Sequence, residues 1–265
     1  MLLLAVLMFV VAVAFSVVGQ GGGVLFTPIQ VWSGVDFHTA ASTSLFLIMI
    51  MSLSTSIVFK RAKRIDWSLV LVLEASSAAG GFMGGLASTR FSGTVLTILF
   101  SVVVAVAGSL MIRFFPTLSK PRRVAKSTIR WRRRMGEQEY DVNLALALPI
   151  SLVAGLVSGL VGVGGGILKV PMMVLLLGIP IEIAVGSSAL MVGITAAAGF
   201  AGHVANGHWD WRTSVALALA VFLGGQVGSR ISIGLEKKRL QKGFGYFLMV
   251  VALLMVLRAV LGTWG

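Results

Sequence analysis

Long runs of apolar residues follow one another along the chain. Eight of them, each near the roughly 20 residues that a helix needs to cross a bilayer, lie at about 2–18, 36–59, 67–88, 91–115, 143–161, 180–203, 210–233 and 240–262. Two shorter runs, at 24–33 and 167–178, are too short to span. The strict alternation of transmembrane β-strands is absent. The pattern predicts an all-α integral membrane protein with about eight membrane-embedded helices and two short half-helices.

Composition supports this class of protein. Hydrophobic residues make up 57% of the 265 residues, charged residues only 12%, and the mean hydropathy is +0.97, whereas a soluble domain has about 25% charged residues. The net charge of +13 comes from basic clusters between apolar runs, so nucleic acid is not expected as a partner. Because the chain has no cysteine, disulfides, thiolate metal sites and iron–sulfur clusters are excluded.

The basic clusters also predict an orientation. Three groups, at 60–64, 113–134 and 230–242, hold 18 of the 22 lysines and arginines. Lysine and arginine in short loops stay on the cytoplasmic side, so these groups are predicted inside and the N-terminus outside. The expected location is the cell (inner or plasma) membrane. The basic segment 116–142 is predicted to be a cytoplasmic linker that contacts anionic lipid headgroups.

The chain repeats itself. Residues 19–28 match 162–171 at an offset of 143, and 40–44 match 184–188 at an offset of 144. The second offset continues to Asp66-Trp67 on Asp210-Trp211 and to Gly80, Gly81 and Gly84 on Gly224, Gly225 and Gly228. We therefore divide the chain into a first membrane repeat (1–115), the linker (116–142) and a second membrane repeat (143–265).

The charge pattern predicts that the two repeats are inverted. Residues 60–64 are strongly basic, whereas their counterparts 204–208 contain no lysine or arginine, so equivalent loops are expected on opposite sides of the membrane. Inverted-topology repeats are typical of secondary transporters, in which substrate binds near the midplane and the halves move around it. A transporter working by alternating access is therefore the expected function.

Two glycine clusters lead into the short apolar runs. Gly21, Gly22 and Gly23 precede the first, and Gly164, Gly165 and Gly166 precede the second. A helix break inside a membrane is tolerated where the freed backbone lines a cavity, and the N-terminus of the following half-helix attracts anions. We therefore expect an oxyanion at these breaks. The spacings Gly80-x-x-x-Gly84 and Gly224-x-x-x-Gly228 favour close helix packing instead.

Charged and polar residues near the breaks complete the predicted substrate site. Lys169, inside the second half-helix, is expected to bind the anion, because a buried cation in a membrane is costly and marks function. Glu74, the acid clearly within a long run, either pairs with Lys169 or carries a coupling proton. Further expected substrate-binding residues are Gln20, Thr27, Ser42, Thr43, Ser44, Ser187, Ser188 and His203. No spacing of histidines and acids indicates a metal site, and no cofactor is expected.

The duplicated motifs resemble the TauE/SafE family of sulfite and organosulfonate exporters. The resemblance rests on the glycine clusters, on Ala184-Val185-Gly186-Ser187-Ser188 and on the turn from His203 through Asn206-Gly207 to Asp210-Trp211. It implies passage of a small sulfur-containing anion, such as sulfite, sulfoacetate or another organosulfonate, usually as export. An anion channel, or a carrier for a carboxylate or sulfate, is the alternative.

Enzymatic activity is not expected. The sequence has no HExxH, GxSxG or Walker lysine motif and no paired acids within an apolar run. A homodimer is a modest expectation.

Overall fold

The computed structural model describes residues 2–18, 23–114, 130–135, 138–162, 166–175, 177–234, 249–250 and 252–254. The first part contains α1 (Leu2–Val18), α2 (Gly23–Trp32), α3 (Phe37–Arg61), α4 (Trp67–Ala87), a 3-10 turn (Ser88–Arg90) and α5 (Gly93–Phe114). Strands β1 (Arg130–Met135) and β2 (Gln138–Asn143) follow. The second part contains α6 (Leu144–Val161), α7 (Gly166–Leu175), α8 (Ile181–Ala205) and α9 (Trp211–Gly234).

The helices follow the apolar runs predicted from the sequence. Within the described residues, five segments are long and apolar enough to cross a membrane: Phe37–Arg61, Trp67–Arg90, Leu144–Val161, Ile183–Ala205 and Trp211–Gly234. The shorter apolar helices include Leu3–Val17 and Gly93–Val106. The prediction of an all-α membrane class is confirmed at this level. Most of the run at 240–262 lies outside the described residues.

Glycines bring the long helices into backbone contact. A Cβ placed on Gly80 would lie 2.1 Å from the Leu152 carbonyl oxygen, and one on Gly84 would lie 2.1 Å from that of Leu156. These contacts advance together along α4 and α6, so the two helices run parallel. The predicted role of this glycine pair in close packing is confirmed, since any larger side chain would meet backbone atoms.

The same contact recurs between α1 and α9. Built on Gly224, a Cβ would lie 2.7 Å from the Phe9 carbonyl oxygen, and on Gly228 it would lie 2.2 Å from that of Val13. Phe9 and Val13 precede Leu152 and Leu156 by the same 143 residues that separate the repeated glycine motifs. The contact between α4 and α6 therefore has a residue-by-residue counterpart between α9 and α1.

A β-hairpin lies in the linker, where the sequence analysis expected only a tether. Strands β1 and β2 are antiparallel, with Arg133 opposite Tyr140. Tyr140 and Val142 are buried in a cluster that includes Met172 and Met173 of α7. The hairpin therefore shares a hydrophobic cluster with a half-helix, and β2 contacts α6. Of segment 116–142, residues 116–129, 136 and 137 lie outside the described part of the chain.

Asp66 joins the hairpin to two helices. It caps α4 by accepting a hydrogen bond from the Leu69 amide, and its own amide donates to Ser187 Oγ of α8 over 3.0 Å. Arg133 Nη2 lies 2.7 Å from Asp66 Oδ1, and the Tyr140 hydroxyl donates to Oδ2 over 2.6 Å. Burial alone would raise the pKa of Asp66, but the hydrogen bonds from Arg133, Tyr140 and Leu69 outweigh it and hold the pKa below its usual value.

This carboxylate predicts a pH-dependent hairpin. A lowered folded-state pKa means that Asp66 adds stability above the usual carboxyl range, and this stability is lost as the pH falls through the lowered value. We expect hydrogen exchange of residues 138–143, corrected for intrinsic rates, to accelerate in that acidic window. Asp66→Asn should show fast exchange already at neutral pH.

Asp36→Asn is the matched control, because Asp36 caps α3 in the same way but has no bond to the hairpin. If Asp66→Asn leaves exchange of the hairpin unchanged, the carboxylate does not hold it.

Candidate functional site

A buried ion pair joins the second half-helix to α4. Lys169 Nζ of α7 lies 2.6 Å from Glu74 Oε2, and the two side chains are 0% and 3% exposed. The ammonium also donates to the Met191 carbonyl oxygen over 3.3 Å and to Thr195 Oγ1 over 2.5 Å, both on α8. The two charged residues that sequence analysis could name but not place together are therefore direct partners.

Two hydroxyls extend this cluster. Thr195 Oγ1 donates to Glu74 Oε1, and it lies 2.9 Å from Ser77 Oγ. Because the single proton of Thr195 is directed at the carboxylate, Ser77 is the donor in the second contact. The cluster Lys169, Glu74, Thr195 and Ser77 is thus a closed network, in which the three donors of the ammonium all have acceptors.

The network has no counterpart at the positions that match its members in the sequence duplication. At the offsets of 143 and 144, the counterparts of its four members are Phe26, Ala218, Met51 and Val221, of which Phe26, Met51 and Val221 are fully buried. An ion pair out of water costs more than apolar packing of the same volume, so fold stability alone does not call for charges here. The asymmetry indicates a functional reason for them.

The end of α6 lies against α2 and α3. Gly162 ends that helix in a left-handed conformation with φ of 76°, and a Cβ there would lie 2.7 Å from the Cα of Ala41. Thr27 Oγ1, on the half-helix α2, donates to the Gly162 carbonyl oxygen over 3.3 Å. The second glycine break therefore begins at a point where α2, α3 and α6 meet.

Most of the predicted hydroxyl ligands have partners within the protein. Ser214 Oγ lies 3.3 Å from Thr43 Oγ1, and Gln30 Nε2 donates to Ser44 Oγ over 3.0 Å. Ser187 accepts from the Asp66 amide, and Ser188 donates to the Val185 carbonyl oxygen over 3.0 Å. Their observed contacts tie helices together or bond backbone.

Ser42 differs from these residues. Its Oγ is buried without a hydrogen-bond partner, as are the hydroxyls of Ser16 and Ser158 near the ends of α1 and α6. Buried polar atoms without partners are uncommon and call for an explanation. These three hydroxyls are free to bind a ligand that reaches them.

The remaining predicted positions fall on or beside the breaks. Gly23 and Gly166 are the first residues of α2 and α7. Gln20, Gly21, Gly22, Gly164 and Gly165 lie outside the described residues. His203 is fully buried in α8, and its Nε2 lies 2.9 Å from the Gly159 carbonyl oxygen.

Sequence reasoning missed Thr195, Ser77, Ser16 and Ser158 as site residues. For Thr195 and Ser77 a signal was present, because aligning the repeats sets them against the apolar Met51 and Val221. Where the two duplicated sequences are aligned, a polar residue matched with an apolar one indicates a position whose function differs between them. Ser16 and Ser158 carry no such signal, since helical serines commonly bond their own backbone.

The sequence matches a family profile and several membrane proteins. The family profile described as sulfite exporter TauE/SafE matches residues 4–255. The probable membrane transporter protein YunE of Bacillus subtilis is 27% identical over 248 residues, covering 89% of this chain and 90% of that protein. A probable membrane transporter protein of Xylella fastidiosa is 26% identical over 94% of this chain and 92% of its own length.

A plant protein matches a shorter part. The sulfite exporter TauE/SafE family protein 5 of Arabidopsis thaliana is 35% identical over 103 residues, which are 38% of this chain and 23% of that protein. No solved structure matches the chain. Because the family profile covers nearly the whole sequence and the long relatives are named as membrane transporters, the chain belongs to the TauE/SafE family of membrane transporters.

Proposed function

We propose that this protein is a secondary carrier that exports a small sulfur-containing anion, such as sulfite, sulfoacetate or another organosulfonate, by alternating access. The observation that carries the proposal is Lys169, a fully buried cation three residues into a half-helix that follows a glycine break. A cation and the N-terminal amides of a half-helix together suit an oxyanion. The sulfur-containing substrate is taken from the name of the family.

The closed network suggests how binding and release are controlled. All three donors of Lys169 have acceptors, so an anion reaches the ammonium only by displacing Glu74, Thr195 or the Met191 carbonyl oxygen. A proton on Glu74 removes the competing negative charge and leaves Lys169 free for the substrate. Glu74 is therefore proposed as the coupling residue, and the paired state in the structure as the state without substrate.

Inverted repeats are the proposed basis of the motion. Helices α1 to α4 and α6 to α9 follow the same order of long, short, long and long elements. The contacts of α4 with α6 have counterparts between α9 and α1. These observations support repeats at 1–115 and 143–265, with α3 and α8 meeting between them through Ser52 and the Ala189 carbonyl oxygen.

The proposed orientation follows the basic residues. The hairpin and linker are placed in the cytoplasm and the N-terminus outside, in the cell membrane. The exposed Arg132 and Arg134 of the hairpin are proposed to contact anionic lipid headgroups. A homodimer remains an expectation.

Flux through purified protein in proteoliposomes tests the function. We expect saturable uptake of sulfite, sulfoacetate or taurine that is trans-stimulated by the same anion inside, which a channel would not show. The double variant Lys169→Gln/Glu74→Gln keeps side-chain size and removes both charges. Losing a charge-assisted hydrogen bond to the substrate costs about 1.5–3 kcal/mol, so the variant's flux should fall at least about tenfold.

Lys60→Gln is the matched control, because Lys60 is an exposed lysine at the end of α3. Its flux should equal that of the unchanged protein. Wild-type flux in the folded double variant would remove Lys169 from the site. Flux of sulfate or a carboxylate, with none of the sulfur compounds above, would keep an anion carrier and change its substrate.

A further inference from the structure

The three histidines of the chain lie together in the fold. His38 is near the start of α3, His203 is near the end of α8, and His208 is in the turn before α9. The rings of His38 and His208 stack, with centroids 4.8 Å apart and an angle of 27° between the planes. The centroids of His203 and His208 are 6.2 Å apart. Segments far apart in sequence thus deliver every histidine to one place.

Each ring has an unused nitrogen. The Nδ1 atoms of His38, His203 and His208 are all buried, and none has a hydrogen-bond partner. His203 is held through its other nitrogen by the Gly159 carbonyl oxygen. A single buried polar atom without a partner already carries a cost, so three neighbouring ones indicate a ligand that satisfies them.

Two further unpartnered atoms lie on helices that carry or hold these histidines. Ser42 lies four residues after His38 and therefore on the same face of α3, and its hydroxyl is buried without a partner. The hydroxyl of Ser158 is also unpartnered, and Ser158 precedes Gly159, the residue that holds His203. Five side chains with a buried, unpartnered polar atom are thus on α3, α6, α8 and the turn before α9.

We propose that His38, His203 and His208 form an anion-binding site at this end of the bundle, which takes up a sulfonate or similar oxyanion together with protons on the imidazoles. Histidine is the side chain that ordinarily changes charge between pH 5 and 8. Imidazolium nitrogens donate hydrogen bonds to an oxyanion, and the anion offsets the repulsion between the stacked rings. In the orientation proposed above, this end of the bundle faces the outside, and the substrate leaves past the histidines.

The charged groups around the cluster are few. Asp36, before α3, interacts electrostatically with His38, and the histidines interact with one another. Asp210 and Arg212 lie at the start of α9, where Asp210 is occupied by Thr213 and the Arg212 amide. On the side of α4, the neutral Asn206 donates to the Gly85 and Leu86 carbonyl oxygens. Within the part of the chain that the structure describes, no lysine, arginine or carboxylate satisfies the free nitrogens.

A metal ion is the less suitable occupant. Among the described residues, no group of three or more histidine, aspartate or glutamate side chains has a geometry that could hold a metal. In addition, the stacked rings of His38 and His208 turn their faces toward each other, so their nitrogen lone pairs do not converge on one point as metal ligands do. An anion with several oxygens can instead accept from nitrogens that point in different directions.

At the opposite end of the bundle, an arginine takes the place of a histidine. At the offset of 144 the counterpart of His208 is Arg64, whose Nη1 is likewise buried without a partner. Arginine stays charged at every physiological pH, whereas histidine does not. Both ends of the bundle therefore hold an unpartnered side-chain nitrogen, but only the histidine nitrogen gains its charge by binding a proton in the physiological range.

Proton and nitrogen NMR of the imidazoles tests the site directly. The three side chains give three sets of signals, which single His→Gln variants assign. In nanodiscs, a pH titration with and without methanesulfonate, which does not itself titrate in this range, should show at least two histidines titrating at higher pH when the anion is present. Chloride at equal ionic strength is the control, and Arg64→Gln should leave the outer titration unchanged.

Identical titrations in methanesulfonate and chloride would overturn the site. This binding measurement does not depend on transport, so it separates the site from the proposed carrier function. In proteoliposomes that transport, lowering the pH on the histidine side should strengthen inhibition by methanesulfonate added there several-fold, and His38→Gln/His208→Gln should remove that dependence. An unchanged pH profile in a folded, transporting double variant would also contradict the proposal.

Discussion

Replacing Lys169 with methionine should lower the free energy of unfolding by about 3–5 kcal/mol, the usual cost of removing one partner of a buried ion pair. The variant leaves the Glu74 carboxylate at 3% exposure without its cation. The double variant Lys169→Met/Glu74→Leu removes both charges and replaces them with apolar groups of similar volume. Its stability should return to that of the unchanged protein or exceed it, while transport stays abolished.

Denaturant unfolding in mixed micelles measures this difference, with Lys60→Met as the exposed-lysine control expected within about 0.5 kcal/mol of wild type. The combination of restored stability and absent flux would separate the functional role of the pair from any structural one. A double variant as unstable as Lys169→Met alone would mean that the ion pair itself stabilises the fold.

Replacing Gly159 with alanine should strongly destabilise the protein, although it adds a single methyl group. Its Cβ would lie 2.0 Å from the Gly81 carbonyl oxygen and 2.9 Å from the Gly85 amide nitrogen. Both are backbone atoms, so α4 and α6 must separate. Overpacking a core typically costs about 1–3 kcal/mol, and we expect more than 3 kcal/mol here because no side chain can move aside.

Gly234→Ala is the matched control, since nothing lies within 4 Å of a Cβ built there. The same unfolding assay should show Gly234→Ala equal to or slightly more stable than wild type. A Gly159→Ala protein that unfolds at the same denaturant concentration as wild type would contradict the backbone contact between α4 and α6 at this glycine.

The helix positions could be predicted from sequence because apolar length determines them. The ends of α3, α6 and α8 fall within about two residues of the predicted runs, where a capping Asp36, a polar Asn143 and Pro180 mark the boundaries. The glycine contacts could also be predicted, since a four-residue spacing places both glycines on one helix face.

The β-hairpin could not be predicted in the same way. Tyr140 and Val142 alternate with charged and polar residues, which is the strand pattern, but the strand is only six residues long. Its buried residues belong to a hydrophobic cluster that also contains Met172 and Met173 of α7, and a local pattern does not reveal such distant partners. In the sequence, Asp66 served only to align the repeated segments. Its hydrogen bonds to Arg133 and Tyr140 depend on the packing of the hairpin against the helices.

The candidate site shows a similar division. Lys169 and Glu74 were identified because charges inside apolar runs are costly. Their contact, and the insertion of Thr195 between them, depends on the approach of α4, α7 and α8. The histidine cluster was missed because His38, near the start of α3, and His208, in the turn before α9, are far apart in sequence, with no spacing that links them.

The parallel contact between α1 and α9 has a consequence for biosynthesis. Helix α1 ends at Val18 and its partner begins at Trp211, so about 190 residues must be made before they can meet. At about 5–20 residues per second, α1 waits about 10–40 s in the lipid without its partner. The ribosome must therefore make α9 before α1 can pack against it, so this contact forms only after α2 to α8 have been synthesised.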